Sequence, residues 1–276
     1  MFIVALLFPF ALLYSSSYIT FAFMEDIFIK AGKSLQKVNL YGVSKMDARV
    51  IIQGMPHCRA LKELIFSNCT NVDNIAMKKI SKHCPDLTTL FINSVSKVRD
   101  KGVIKVARRC HGLSALCLPE TLTDSSVMVV AESCVRLQTL DLTGNLKLSD
   151  LTVRTILNNC VDLIAVSLCD CTITDEAFDW PKEVGKGGSD VKPPNWKLQN
   201  LNLANVVRIT DRGLRLIASR APALVEIDLF ANLNVSDQGI LALLQSCKIT
   251  RLQPQSCKLV RHLSHVLARS LSLSRS

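Results

Sequence analysis

The sequence predicts an α/β solenoid, a curved horseshoe of stacked coils with parallel strands on its concave face and helices on its convex face. Three observations carry that prediction. A leucine pattern recurs at a near-fixed period, cysteines recur in phase with it, and a Ser/Thr–Asp pair opens the second half of five of the repeats. Cysteines at 58, 84, 110, 134 and 160 are spaced by 26, 26, 24 and 26 residues, and Ala221 to Cys247 is again 26. The leading leucines keep step at Leu61, Leu87, Leu113, Leu137, Leu163, Leu198 and Leu224, with a weaker first copy at Leu35, Val38 and Leu40.

The first half of each unit, Leu-x-x-Leu-x-Leu, is short and extended. Its leucines point inward and alternate residues point out. Leu64, Leu90, Leu116, Leu140, Leu201 and Ile227 are therefore expected to form one buried column. The second half starts at Thr123-Asp124, Ser149-Asp150, Thr174-Asp175, Thr210-Asp211 or Ser236-Asp237. A Ser or Thr hydroxyl accepts a bond from a free N–H at a helix start, and an Asp in the first turn meets the positive end of the helix dipole. Apolar residues then recur at helical spacing, as in Val127, Val130 and Ala131 or Leu214, Ile217 and Ala218. A strand, a turn and a helix of this length cannot bury a core alone, whereas stacked units each cover the next.

With 49% hydrophobic residues, the 276-residue chain has ample material for a core. Its net charge of +10 is uneven: residues 247–276 hold six bases (Lys248, Arg251, Lys258, Arg261, Arg269, Arg275) and no acid. The expected organisation is an apolar segment over 1–34, a repeat domain over 35–257 with a loop insertion at 181–197, and a basic tail over 258–276. Residues 1–24 carry no charged side chain, which raises a signal, an anchor or an apolar cap on the first repeat. The insertion contains Gly187-Gly188 and Pro193-Pro194, and lengthens the step from Leu163 to Leu198 to 35 residues. The tail reads as an amphipathic basic helix capping the last repeat.

The unit Cys-x-x-Leu-x-x-Leu-x-Leu-x-x-Cys followed by Thr-Asp-x-Gly-Leu, in lines such as LKELIFSNC and ITDRGLRLIA, resembles the cysteine-containing leucine-rich repeat. That repeat is typical of the F-box/LRR family and of proteins like the antagonist of mitotic exit network, with a ribonuclease-inhibitor-like solenoid. The resemblance covers Leu35 to Cys257. It implies substrate recognition for an SCF-type ubiquitin ligase, with a Skp-type adaptor and a cullin as further partners, in the cytoplasm or nucleus. Residues 1–34 lack the Leu-Pro start and the Trp of an F-box. A secreted or membrane-tethered repeat receptor is the alternative, resting on residues 1–24 alone.

No catalytic residues, metal or cofactor are expected. His57-Cys58, His83-Cys84, Cys110-His111 and Cys169-x-Cys171 have ligand-like chemistry, but they fall on separate coils, and zinc needs about four ligands at one point. Buried thiols that pack as small apolar groups account for their period. Cys117 and Cys169, at outward strand positions, are the expected reactive thiols. The concave face carries the functional expectation. One outward row reads Ile65, Phe91, Cys117, Asp141, Ser167, Asn202 and Asp228; a second reads Ser67, Asn93, Pro119, Thr143, Cys169, Ala204 and Phe230. Glu63, Glu120, Asp170 and Glu226 flank them, and between Leu61 and Ala231 the rows hold no Lys or Arg. A nucleic-acid surface needs several basic contacts to phosphate, so a protein partner is expected and nucleic acid and membrane are not. Phe91 and Phe230 are the expected apolar anchors; Asp141, Asn202 and Asp228 are the expected polar contacts. Lys78, Lys79, Lys82, Arg108, Arg109, Arg212, Arg215 and Arg220 are expected to solvate the convex helices.

Overall fold

The computed structural model describes residues 4–7, 10–13, 21–43, 47–179, 196–257 and 259–260. The chain divides into two compact units, Met1–Leu142 and Thr143–Ser276.

In the first unit, strands β1 (Val4–Leu7) and β2 (Phe10–Leu13) form an antiparallel pair, and helix α1 (Phe21–Ala31) follows. β2 then lies parallel to β3 (Lys37–Asn39). From there three-residue strands alternate with helices: α2 (Ala48–Gly54), β4 (Glu63–Ile65), α3 (Asn74–His83), β5 (Thr89–Phe91), α4 (Asp100–Ala107), β6 (Ala115–Cys117), α5 (Asp124–Ser133) and β7 (Thr139–Asp141). Strands β3 to β7 pair in parallel and in strict order. Their middle residues Val38, Leu64, Leu90, Leu116 and Leu140 face one another in register and are all buried. Met77, Val103, Val106 and Val130 from the helices close over Leu90, Ile92, Leu116 and Leu118, so each coil's apolar side is shielded by its neighbours.

The second unit repeats the scheme with α6 (Asp150–Asn159), β8 (Ala165–Ser167), β9 (Asn200–Asn202), α7 (Asp211–Arg220), β10 (Glu226–Asp228), α8 (Asp237–Ser246) and β11 (Arg251–Gln253). Strands β8 to β11 are parallel, with Val166, Leu201 and Ile227 as the buried middle column. The Thr174-Asp175 copy departs from the pattern. In place of an α-helix it makes one 3-10 turn, Asp175–Ala177. Pro181 lies where the second helical turn would run, and proline offers no N–H and disfavours helical backbone at the residue before it. Buried Phe178 and Trp196 fill the space instead, edge to face with ring centres 6.3 Å apart. Most of the expected insertion 181–197 and of the expected tail helix 258–276 lies outside the described residues.

Helix starts follow the expected chemistry. Thr123 accepts from the Ser125 amide, Ser149 from Thr152, Thr174 from Glu176, Thr210 from Arg212 and Ser236 from Gln238. The aspartates do more than meet the dipole. Asp100 accepts from the Thr123 amide and hydroxyl, both at 2.9 Å. Asp150 does the same for Thr174, Asp175 for Thr210 and Asp211 for Ser236. Each carboxylate thus clamps the cap residue of the following coil. The residue after a strand's turn is equally constrained: Gly42, Asn68, Ser94, Gly144, Asp170, Asn205, Ala231 and Ser256 all adopt positive φ between 56° and 76°.

Candidate functional site: the exposed strand faces

The pleat places the first and third residue of each strand on the face opposite the helices. In the first unit the third residues run Asn39, Ile65, Phe91, Cys117 and Asp141, paired in register from β3 to β7. In the second they run Ser167, Asn202, Asp228 and Gln253. None of these positions carries a base. The row expected from the repeat phase is therefore present within each unit. Phe91 and Asp141 are brought onto one row in the first unit; Asn202 and Asp228, with Phe230 just beyond β10, are brought together in the second. Phe91, Asp141, Asn202 and Asp228 are half-buried and Phe230 is exposed.

The second row is less open than its sequence phase implies. Asn93, Thr143 and Cys169 are half-buried, while Ser67, Pro119 and Ala204 are buried. The chain turns down at these positions, and the Ser67 hydroxyl donates to the Asn93 amide oxygen of the next coil. Two flanking acids are also less available than expected. Glu63 pairs with Lys37 at 2.6 Å and Glu226 with Arg251 at 3.4 Å. Asp228 accepts from the Phe230 amide at 2.9 Å, which fixes the turn carrying that ring. Asp170 accepts from the Asn205 side chain at 2.7 Å.

The cysteines behave as packing groups. Cys84 donates its thiol to the Cys58 carbonyl at 3.3 Å, Cys110 to the Cys84 carbonyl at 3.4 Å, and Cys247 to the Ala221 carbonyl at 3.3 Å. Burial pushes the Cys58 and Cys110 thiols up to about 12. Cys117 and Cys169 do not meet the expectation of reactivity. Burial, with Asp141 adding to it, pushes Cys117 up to about 12. Burial, then the hydrogen bond to Asp170 and the charge of Asp228, does the same for Cys169. The thiolate is the nucleophile, and both positions suppress it. Among the described residues no three His, Cys, Asp or Glu side chains are placed to hold one metal ion.

One basic residue sits otherwise than expected. Arg220 is buried, its guanidinium 4.6 Å from the centre of the Trp196 ring, and burial lowers its pKa from the ordinary value. Trp196, near the end of the insertion, donates its amide to the Arg220 carbonyl at 2.7 Å, so the re-entering chain roofs the helix end. Arg212 on the same helix pairs with Glu176 at 2.6 Å and with Asp179.

No protein-family model and no curated protein sequence matches this chain. Solved structures match it in fold. A chain of the yeast Rad7–Elc1 complex superposes with a TM-score of 0.68 at 16% identity, over 92% of this chain and 66% of that one. A chain of the TLR13–ssRNA13 complex gives 0.56 at 19% identity, over 84% of this chain and 31% of that one. The leucine-rich repeat-containing protein LegL7 from Legionella pneumophila gives 0.51 at 14% identity, over 92% of this chain and 85% of that one. The chain thus spans just under two thirds of the first neighbour and about a third of the second. Together with the alternating strands and helices, these likenesses define the fold class as an α/β leucine-rich-repeat solenoid. Among the described residues no helix is long and apolar enough to cross a membrane.

Proposed function

We propose that the chain is a protein-recognition scaffold without catalytic chemistry, contacting its partner through Phe91 and Asp141 in the first unit and Asn202, Asp228 and Phe230 in the second. The observation that carries this reading is the pair of registered outward rows, which mix aromatic, amide and carboxylate groups with no base. Preformed rigid faces of this kind bind through a few anchors rather than through covalent steps. Phosphate recognition would demand the opposite charge. Residues 1–34 read as a cap on the first coil, supported by the pairing of β2 with β3.

The particular role we assign is substrate selection linked to an SCF-type ubiquitin ligase, in the cytoplasm or nucleus. Two things support it: the resemblance of the repeat to the cysteine-containing type of the F-box/LRR family, and a structural neighbour solved together with a second protein, Elc1. Affinity purification of the tagged chain from cells tests the assignment. Recovery of a Skp-type adaptor or cullin is the expected result. Their absence, with other proteins still bound and lost on Phe91→Ala or Phe230→Ala, rejects the ligase role and leaves the scaffold standing.

A further inference from the structure

The second unit carries an apolar stripe that the first lacks. Counting from the buried middle residue of each strand, the sixth residue onward is Leu146, Thr172, Val207 and Leu233 in successive coils of the second unit; in the first it is Thr70, Ser96 and Leu122, and that leucine is fully buried. Leu146 is 62% exposed, Val207 41% and Leu233 37%, and Phe230, three residues before Leu233, is 48% exposed. Scattered apolar side chains on a surface are ordinary; three in one file, interrupted at Thr172, are not. Side chains of each following coil tie the file together. The Thr172 hydroxyl donates to the Leu146 carbonyl at 2.9 Å, an Arg208 guanidinium N–H to the Thr172 carbonyl at 3.5 Å, and the Asn234 side-chain Nδ2 to the Val207 carbonyl at 2.8 Å. The file is thus prearranged, which lowers the ordering cost of binding.

Charge decides what would cover it. On the strand side the stripe is bordered by Asp228 and Asp170, both near the Cys169 thiol, whose ionisation both disfavour. Among the described residues neither carboxylate has an ion-pair partner. Phe230 stands beside Asp228, its amide bound to that carboxylate, and an aromatic face next to a carboxylate suits an ammonium or guanidinium group. Lys147 and Arg208 directly follow Leu146 and Val207 in the chain, so a uniformly cationic ligand would be repelled there. Coils stand about 4.8 Å apart, so the file spans roughly 15 Å, the reach of about five extended residues.

We propose that this edge of the second unit docks an extended segment of a partner protein, with one arginine or lysine at Asp228, Asp170 and Phe230 and apolar residues laid over Leu233, Val207 and Leu146. The proposal rests on the scaffold reading above and names the partner's chemistry.

The test is selection of random peptides displayed on phage against the full chain, followed by fluorescence anisotropy on the enriched peptides. Peptides with a single base flanked by apolar residues should be enriched. Asp228→Asn, which keeps the oxygen that accepts from the Phe230 amide, and Phe230→Ala should each weaken them roughly tenfold. Asp228→Lys should abolish binding, and Leu233→Ser, at an exposed position, should weaken it without changing the melting temperature. Enrichment of acidic or neutral peptides, no enrichment at all, or affinity indifferent to all four changes overturns the proposal. If peptides of other chemistry are enriched and are lost on Phe91→Ala or Asp141→Asn, the scaffold reading survives while this one falls.

Discussion

At Gly213 two opposing effects on stability can be weighed. An exposed helical glycine replaced by alanine ordinarily gains about 1 kcal/mol of helix propensity. Here a Cβ would stand 2.3 Å from the Asp175 carboxylate oxygen, the group that holds the Thr210 amide and hydroxyl. Neither the carboxylate nor the cap can retreat without losing the other. Gly213→Ala is therefore expected to lower stability by about 1–3 kcal/mol, measured by urea unfolding. Gly112, whose Cβ would meet only the Leu87 carbonyl at 3.6 Å, is the control and should tolerate alanine. A gain at Gly213 would mean that the clamp yields freely. The glycine of the Thr-Asp-x-Gly signature was legible in the sequence, but its reason was not, because the atom it avoids belongs to a coil 38 residues earlier.

At the scale of the element, Asp100 joins α4 to α5. Burial raises its pKa, but hydrogen bonds from the Ser126 hydroxyl and the Thr123 amide and hydroxyl outweigh it, leaving the carboxyl below an ordinary 3.8. The native state then holds Asp100 ionised more firmly than the unfolded chain does. Its contribution is full above pH 3.8 and is lost as the pH falls through the lower native value. Urea midpoints measured from about pH 5 down to pH 2 should fall, and should fall less steeply in Asp100→Asn, which cannot titrate. An unchanged slope would remove the clamp from the acid response. The repeat period made the strands and most helices readable, since it decides which leucine lies beside which. The exception at Asp175–Ala177 follows from Pro181, and the burial of Arg220 depends on Trp196, which lies in the insertion and so outside any repeat pattern.

Across the whole molecule the thiols act together. Cys58, Cys69, Cys110 and Cys117 are pushed up to about 12 and Cys160 and Cys247 to about 11, from an ordinary 9.0 and with burial as the leading cause. In the unfolded chain these groups ionise first. Their stabilisation is complete below pH 9.0 and is lost as the pH rises toward 11 and 12. Thermal melting should therefore fall steeply above about pH 9, and Cys110→Ala should flatten the fall; a melting temperature steady to pH 11 would contradict the burial. The outward rows were legible because phase alone puts Phe91 beside Cys117 and Asn202 beside Asp228. The ion pairs that occupy Glu63 and Glu226 were not, since Lys37 and Arg251 lie in the irregular end copies. The aspartate clamps run one way: the carboxylate always comes from the earlier coil and the secured amide from the later. A ribosome delivers the chain in that same order, so each coil, on emerging, finds its acceptor already standing.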